Sequence, residues 1–314
     1  MTASFVMRFF YIYRVVQLLK ILIQAGLWLF CNKIHLKNKS LFKIKGPLLI
    51  IANHPNSFLD ALIIGSYYKR RVYFLARGDA FKKPIHRFLL ESLNMIPVYR
   101  LREGKEYLHL NDFAFSRSIE LLSNGNAVLV FIEGVCVNSN ELQPFKKGTT
   151  RILQGTQELG VFPSIHVVGI GYDNFRGVGK YVNVVYNNFP YTKTIITAKD
   201  RVEFNSAVFA LLNKNIITPT VPPSNNSLAR KLIFAFARAI YYLQAPYYFP
   251  LRRFVARVTK NTVFYDSVLF AALLFTYPLF LLIIFILLYQ FSLPLPIILI
   301  TLVAIPLISK FASK

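Results

Sequence analysis

The stretch from Ser267 to Tyr289 contains no charged residue, and a helix needs about 20 mostly apolar residues to cross a bilayer core. A domain of this size has little room to bury such a run, so it predicts a membrane-spanning helix. Pro278 lies inside it and is expected to kink it, which membrane helices tolerate. After Gln290-Phe291-Ser292 a second uncharged run extends from Leu293 to Ser309. It is shorter and holds Pro294, Pro296 and Pro306, which leaves a full crossing and a re-entrant path both open. The turn between the runs is uncharged, whereas the outer flanks carry Arg252, Arg253, Arg257, Lys260, Lys310 and Lys314. Positive flanks stay on the cytoplasmic side. The pattern predicts a transmembrane hairpin with both ends, and the rest of the chain, facing the cytoplasm. The competing reading is an apolar hairpin packed on the protein itself.

The chain has 314 residues, 54% of them hydrophobic, and a formal net charge of +23. The combination suggests a globular part lying on an anionic lipid surface, where each basic residue near the headgroups contributes about 1 kcal/mol. Nucleic acid is the other usual partner of a basic chain. No helix-turn-helix, zinc-finger or RNA-binding signature is present in the sequence, so none is expected. Cys31 and Cys136 are far apart in apolar runs and suggest neither a disulfide framework nor a zinc site.

The N-terminal segment Phe5 to Phe30 is apolar and aromatic, interrupted by Arg8, Arg14 and Lys20. Its uncharged part, Ile21 to Phe30, is too short to span, and no small-x-small cleavage site follows it. It reads as a helix in the membrane interface, with basic side chains reaching the headgroups. A helix packed on the soluble part is the competing reading.

Between these ends the pattern is strand, loop, helix, repeated. Strands are expected at 48–52, 72–76, 95–99, 127–132 and 165–172. Helices are expected from Phe58 to about Tyr68, from an N-cap at Asn111 to about Ser123, and from Gly148 to Leu159. Alternating strands and helices argue for an α/β domain with both sheet faces covered. Residues 219–227 read as a loop, 228–243 as a basic amphipathic helix, and 246–260 as a Tyr-, Phe- and Arg-rich interfacial mixture. The expected organisation is a membrane-associated helix (1–35), an α/β domain (36–218), a linker with the basic helix (219–262) and a transmembrane hairpin (263–314).

Asn53-His54-Pro55-Asn56-Ser57-Phe58-Leu59-Asp60 follows a buried strand and opens a helix. That places His54 at the sheet edge where α/β folds hold their ligands. Asp60, in the first helical turn, can reach back to one imidazole nitrogen, and the other nitrogen can then take a proton from a substrate hydroxyl. This suits acyl transfer from a thioester to an alcohol. The competing reading is a capping box between Ser57 and Asp60 that only stabilises the helix start, with His54 an ordinary loop residue. From these residues alone the two readings weigh evenly.

Downstream residues add to them. Met95-Ile96-Pro97-Val98-Tyr99-Arg100 is an extended segment ending in Arg, with Arg102 close by. Val128-Leu129-Val130-Phe131-Ile132-Glu133-Gly134 is an apolar strand ending in Glu-Gly, followed later by Pro144-Phe145-Lys146-Lys147-Gly148. The ordered set, from about Lys45 to Asn188, resembles the glycerol-phosphate and lysophosphatidate acyltransferase family, in its branch with the longer His–Asp spacing. The common spacing has four residues between His and Asp, whereas this chain has five.

The resemblance implies a mixed sheet flanked by helices, with His54 and Asp60 catalytic. It implies a substrate-binding set of Asn53, Arg77, Arg100, Arg102, Glu133, Gly134, Lys146 and Lys147. Arg100 is implied to hold the acceptor phosphate, and Glu133 to hold the acceptor or position Arg100. Val135-Cys136 replaces the family's Thr-Arg, which leaves Lys146 and Lys147 to supply the missing charge. Val167 replaces a Pro of the fourth motif, at a position tied to the acyl-donor pocket. Arg77, Lys82 and Lys83 are candidates for donor phosphates, with a solvated or membrane-facing basic surface as the competing role of Lys82 and Lys83.

The expected activity is acyl transfer from acyl-CoA or acyl carrier protein to glycerol-3-phosphate or a lysophospholipid, at a bacterial inner membrane, with no metal or bound cofactor. Another lysolipid acceptor, such as an amino-acid lipid, and a non-catalytic lipid-binding role are the alternatives.

Overall fold

The computed structural model describes residues 3–99, 109–221 and 228–312, without the side chains of 3–16, 86, 89, 228–234, 311 and 312. Its centre is one mixed sheet. The strands are β1 (Cys31–Lys37), β2 (Leu48–Ala52), β3 (Val72–Arg77), β4 (Met95–Val98), β5 (Ala127–Phe131), β6 (Ser164–Tyr172) and β7 (Lys180–Asn188). They lie in the order β1-β7-β6-β2-β5-β3-β4. β2 is parallel to both β5 and β6, and β3 and β4 continue that direction. β7 runs antiparallel to β6, and β1 parallel to β7.

All of Leu48-Leu49-Ile50-Ile51-Ala52 is buried, because helices cover both faces of β2. Leu48, Ile50 and Ala52 pack with residues of α1 (Ala3–Phe30) and α2 (Phe58–Ser66). Leu49 and Ile51 pack with α4 (Leu110–Ser123), α5 (Gly148–Glu158) and α6 (Ala198–Asn215). The strands expected from the sequence form at β2 to β6, each end within one residue of its expected place.

Within residues 31–218, the strands β1 and β7 and the α-helices α3 (Pro84–Ser92) and α6 exceed the expectation. β1 is an edge strand whose Lys33, His35 and Lys37 alternate with buried or half-buried positions, and that polar half masks the strand pattern. β7 starts at Lys180, a lysine buried in full. Asn111 is no N-cap: it lies inside α4, where its side chain accepts from Tyr99 N–H and donates to Tyr99 C=O, each at 2.7 Å. The stronger demand is the half-buried backbone leaving β4, which one carboxamide satisfies in both directions.

The C-terminal half of α1 is packed on the domain, burying Ile23, Leu27 and Phe30. Lys20 does not reach outward to headgroups. Its Nζ donates to Tyr68 O and Arg70 O, both at 2.6 Å, just past the end of α2, where helix carbonyls lack partners. Burial pulls its pKa down to about 8.

The chain then forms α7 (Leu228–Leu243), α8 (Ala245–Val258), α9 (Tyr265–Gln290) and α10 (Leu295–Ala312). The interfacial mixture at 246–260 is thus largely helical, with Pro250 inside α8. Among the described residues α9 alone is long and apolar enough to cross a membrane, and it continues through Pro278. It begins inside the protein: Tyr265, Asp266, Ser267, Leu269 and Phe270 are buried, whereas Phe275 is 70% exposed. Most of the second apolar run forms the helix α10, which begins at Leu295 and continues through Pro306.

Candidate active site

Strand β2 ends at Ala52, and the chain crosses to α2 over residues 53–57 at the carboxyl edge of the parallel strands. Asn53 fixes the start of the crossing. Its side chain donates to Ile170 O at 2.9 Å and accepts from Ile170 N–H at 2.8 Å, which extends the pairing of β2 with β6 by one step. The next residue, His54, lays its ring flat on Phe131 at the end of β5, with centroids 3.7 Å apart and planes 10° apart. Its Nδ1 lies 2.9 Å from Asp60 Oδ2.

The five intervening residues are accommodated by a sharp turn at Ser57, whose φ of 54° lies in the left-handed region. A non-glycine residue costs about 1–3 kcal/mol there. The turn is held by Ser57 N–H donating to Cys136 Sγ at 3.0 Å. Val137 N–H donates to His54 O at 3.3 Å, and Asn138 Nδ2 to Pro55 O at 2.9 Å. The loop after β5 therefore clamps the His54 loop along its length.

Ser57 and Asp60 do not form the capping box. The Ser57 side chain makes no cap hydrogen bond. Asp60 Oδ2 accepts from Asn56 N–H at 2.7 Å as well as facing His54, and Asp60 Oδ1 accepts from the Tyr172 hydroxyl at 2.7 Å. Asp60 is completely buried. Burial pushes its carboxyl above the usual range, and the hydrogen bonds from His54, Tyr172 and Asn56 oppose that rise. The His54 side chain is 19% exposed, so the ring reaches solvent while its carboxylate does not. This is the arrangement that fixes one imidazole tautomer and supports an imidazolium.

Glu133 lies behind His54. It is 2% exposed and makes no ion pair among the described residues. Its Oε1 is buried and has no hydrogen-bond partner among the described residues. Burial raises its pKa to about 8, the neighbouring Asp60 charge adding to the rise. Gly134 turns the chain away with φ +62°, and a Cβ there would sit 2.8 Å from Lys146 Cγ. Lys146 and Lys147 are exposed, the latter at the N-cap of α5.

Arg77, at the end of β3, pairs in bidentate fashion with Asp79 and lies 4.7 Å above the Phe264 ring centroid. Lys82 and Lys83 are exposed. Arg100 and Arg102 lie outside the described residues. Tyr172, Phe131 and Cys136 belong to the site without having been singled out in the sequence. Each contributes through packing or a hydrogen bond made across the fold, and neither an apolar-strand position, as for Phe131 and Tyr172, nor the loop position of Cys136 carries a local sign of that.

Residues 33–173 match the family model described as Acyltransferase, somewhat under half of the chain. A chloroplastic 1-acyl-sn-glycerol-3-phosphate acyltransferase of Brassica napus is 29% identical over 113 residues, which is 35% of this chain and 30% of that relative's length. The crystal structure of the 1-acyl-sn-glycerophosphate acyltransferase from Thermotoga maritima superposes with a TM-score of 0.46 at 19% identity, over 66% of this chain and 78% of that one.

Proposed function

We propose that this chain, whose residues 33–173 match acyltransferases, is a membrane-bound O-acyltransferase. It moves a fatty acyl group from acyl-CoA or acyl carrier protein to a hydroxyl of glycerol-3-phosphate or a lysophospholipid, in phospholipid synthesis. The observation that carries the reading is the 2.9 Å contact of His54 with a fully buried Asp60 at the carboxyl edge of the sheet.

In this reading Asp60 holds Nδ1–H, and the remote nitrogen of His54 accepts the acceptor's hydroxyl proton as the oxygen attacks the thioester carbonyl. The tetrahedral intermediate collapses, the C–S bond breaks, and the thiolate leaves as thiol with the proton from His54. The acceptor phosphate is assigned to Arg100, with Arg102 beside it, because a guanidinium matches phosphate oxygens in bidentate fashion. Lys146 and Lys147 supplement it. Arg77 is already paired with Asp79, so donor phosphates fall mainly to the exposed Lys82 and Lys83. Helix α9 anchors the chain in a bacterial inner membrane, and the basic flanks of α9 and α10 keep the catalytic domain in the cytoplasm.

Labelled acyl thioester incubated with the purified full-length protein in liposomes, with phosphate-bearing and phosphate-free acceptors, tests this. His54→Ala is expected to abolish transfer while the protein stays folded, and normal turnover by that variant removes the mechanism. Arg100→Ala is expected to raise KM for phosphate-bearing acceptors alone. An unchanged KM removes its role.

A further inference from the structure

The first turn of the candidate membrane helix enters the active-site loop. Ser267 Oγ accepts from Leu59 N–H at 3.0 Å and contacts Asn56 O at 3.4 Å. Leu59 belongs to the first turn of α2, whose amides have no partner within the helix. Ser57, at the N-cap, supplies no side-chain acceptor. The cap of α2 therefore comes from α9, 208 residues away in sequence. Next to it Asp266 Oδ2 accepts from Asn56 Nδ2 at 2.8 Å, and Asp266 Oδ1 from Gly177 N–H at 2.7 Å. Asp266 is ion-paired with Lys180, and both side chains are fully buried. Lys180 lies 5.9 Å from the Tyr172 ring, whose hydroxyl holds Asp60.

Membrane anchoring alone does not account for these contacts. An anchor needs an apolar run. It does not need a buried charge pair and a hydroxyl placed on the loop that carries the dyad. Asn56 receives both: its side chain donates to Asp266 and its backbone oxygen accepts from Ser267 Oγ, while its backbone N–H donates to Asp60.

We infer that Ser267 and Asp266 are positioning residues for the His54–Asp60 dyad, so that α9 completes the catalytic loop. The inference rests on the acyl-transfer reading above. Ser267 sets the first turn of α2, and with it the direction of Asp60. Asp266 holds Asn56, and with it the backbone N–H that shares Asp60 Oδ2 with His54. Both side chains are buried, so the effect of losing them is expected on kcat, with KM for donor and acceptor left in place.

The test compares full-length Ser267→Ala, Ser267→Thr and Thr276→Ala in liposomes. Thr276 lies further along α9, and its hydroxyl bonds to Tyr247 and Ala272 and to nothing in the loop. Ser267→Ala is expected to lower kcat about tenfold at unchanged KM. Ser267→Thr, which keeps the hydroxyl, restores most of it, and Thr276→Ala leaves kcat at the wild-type value. Wild-type kcat in Ser267→Ala overturns the inference. So does an equal loss in Ser267→Ala and Thr276→Ala, which marks general weakening of α9. A His54→Ala control that still turns over instead removes the acyl-transfer reading on which the inference rests.

Discussion

The Tyr172 hydroxyl donates to Asp60 Oδ1 at 2.7 Å, from the last residue of β6 to the first turn of α2. With His54 and Asn56 on Oδ2, both oxygens of a completely buried carboxylate are engaged. A hydrogen bond to a charged group contributes about 1.5–3 kcal/mol. Tyr172→Phe is expected to cost about that much stability and to lower kcat several-fold, with KM unchanged. Denaturation and steady-state kinetics on the same preparation check it.

Removing the carboxylate itself tests the dyad more directly. Asp60→Asn keeps the shape but loses the charge that supports an imidazolium, and general-base assistance is worth about 10²–10⁴-fold. Expected is a kcat fall within that range while KM holds. A loss below tenfold would reduce Asp60 to a structural part of the loop.

Glu133 predicts a pH signature. Its pKa is about 8 in the fold against an ordinary 4.5. Between those values the folded state binds more protons than the unfolded state. Stability therefore falls as pH rises through this window, and levels off above about 8. Glu133→Gln removes the titrating group. The wild type is expected to lose stability relative to Glu133→Gln between pH 5 and pH 8, measured as Tm in detergent at matched ionic strength. A constant difference across that range contradicts the assignment.

The buried pair of Lys180 and Asp266 should behave asymmetrically. Taking one partner away leaves a buried charge, which costs about 3–5 kcal/mol. Lys180→Met is thus expected to destabilise the protein strongly. Adding Asp266→Asn should recover much of the loss, because a neutral amide can still accept from Gly177. A double-mutant cycle by chemical denaturation reads the coupling.

Two segments with the same local pattern show how far sequence reasoning reaches. Thr197 and Asp200 stand three residues apart at the start of α6, as Ser57 and Asp60 do at the start of α2. At α6 the capping box forms, with side chain and backbone satisfied in both directions. At α2 it does not, because Asp60 faces inward to His54 and Tyr172, and the cap is delivered by Ser267. The spacing is identical, and the difference lies in what covers each helix. Asp200 hydrogen-bonds at the exposed surface, whereas Asp60 is sealed beneath α9 and β6.

Periodicity and apolar runs determined the strands β2 to β6, the helices α2, α4 and α5 and the long apolar helix α9, since each depends on residues close together in the chain. The order of four motifs pointed to the His54–Asp60 pair for the same reason. Only the tertiary structure decided what surrounds that pair. Tyr172, Phe131, Cys136, Asp266 and Ser267 reach it across the sheet and from α9, over separations that leave no local signal. Asp266, at the head of the apolar helix, and Lys180, opening β7, stand 86 residues apart, and no local pattern links them. Burial in a shared low-dielectric pocket requires each to find the other, and that pairing brings the apolar helix against the loop that carries His54.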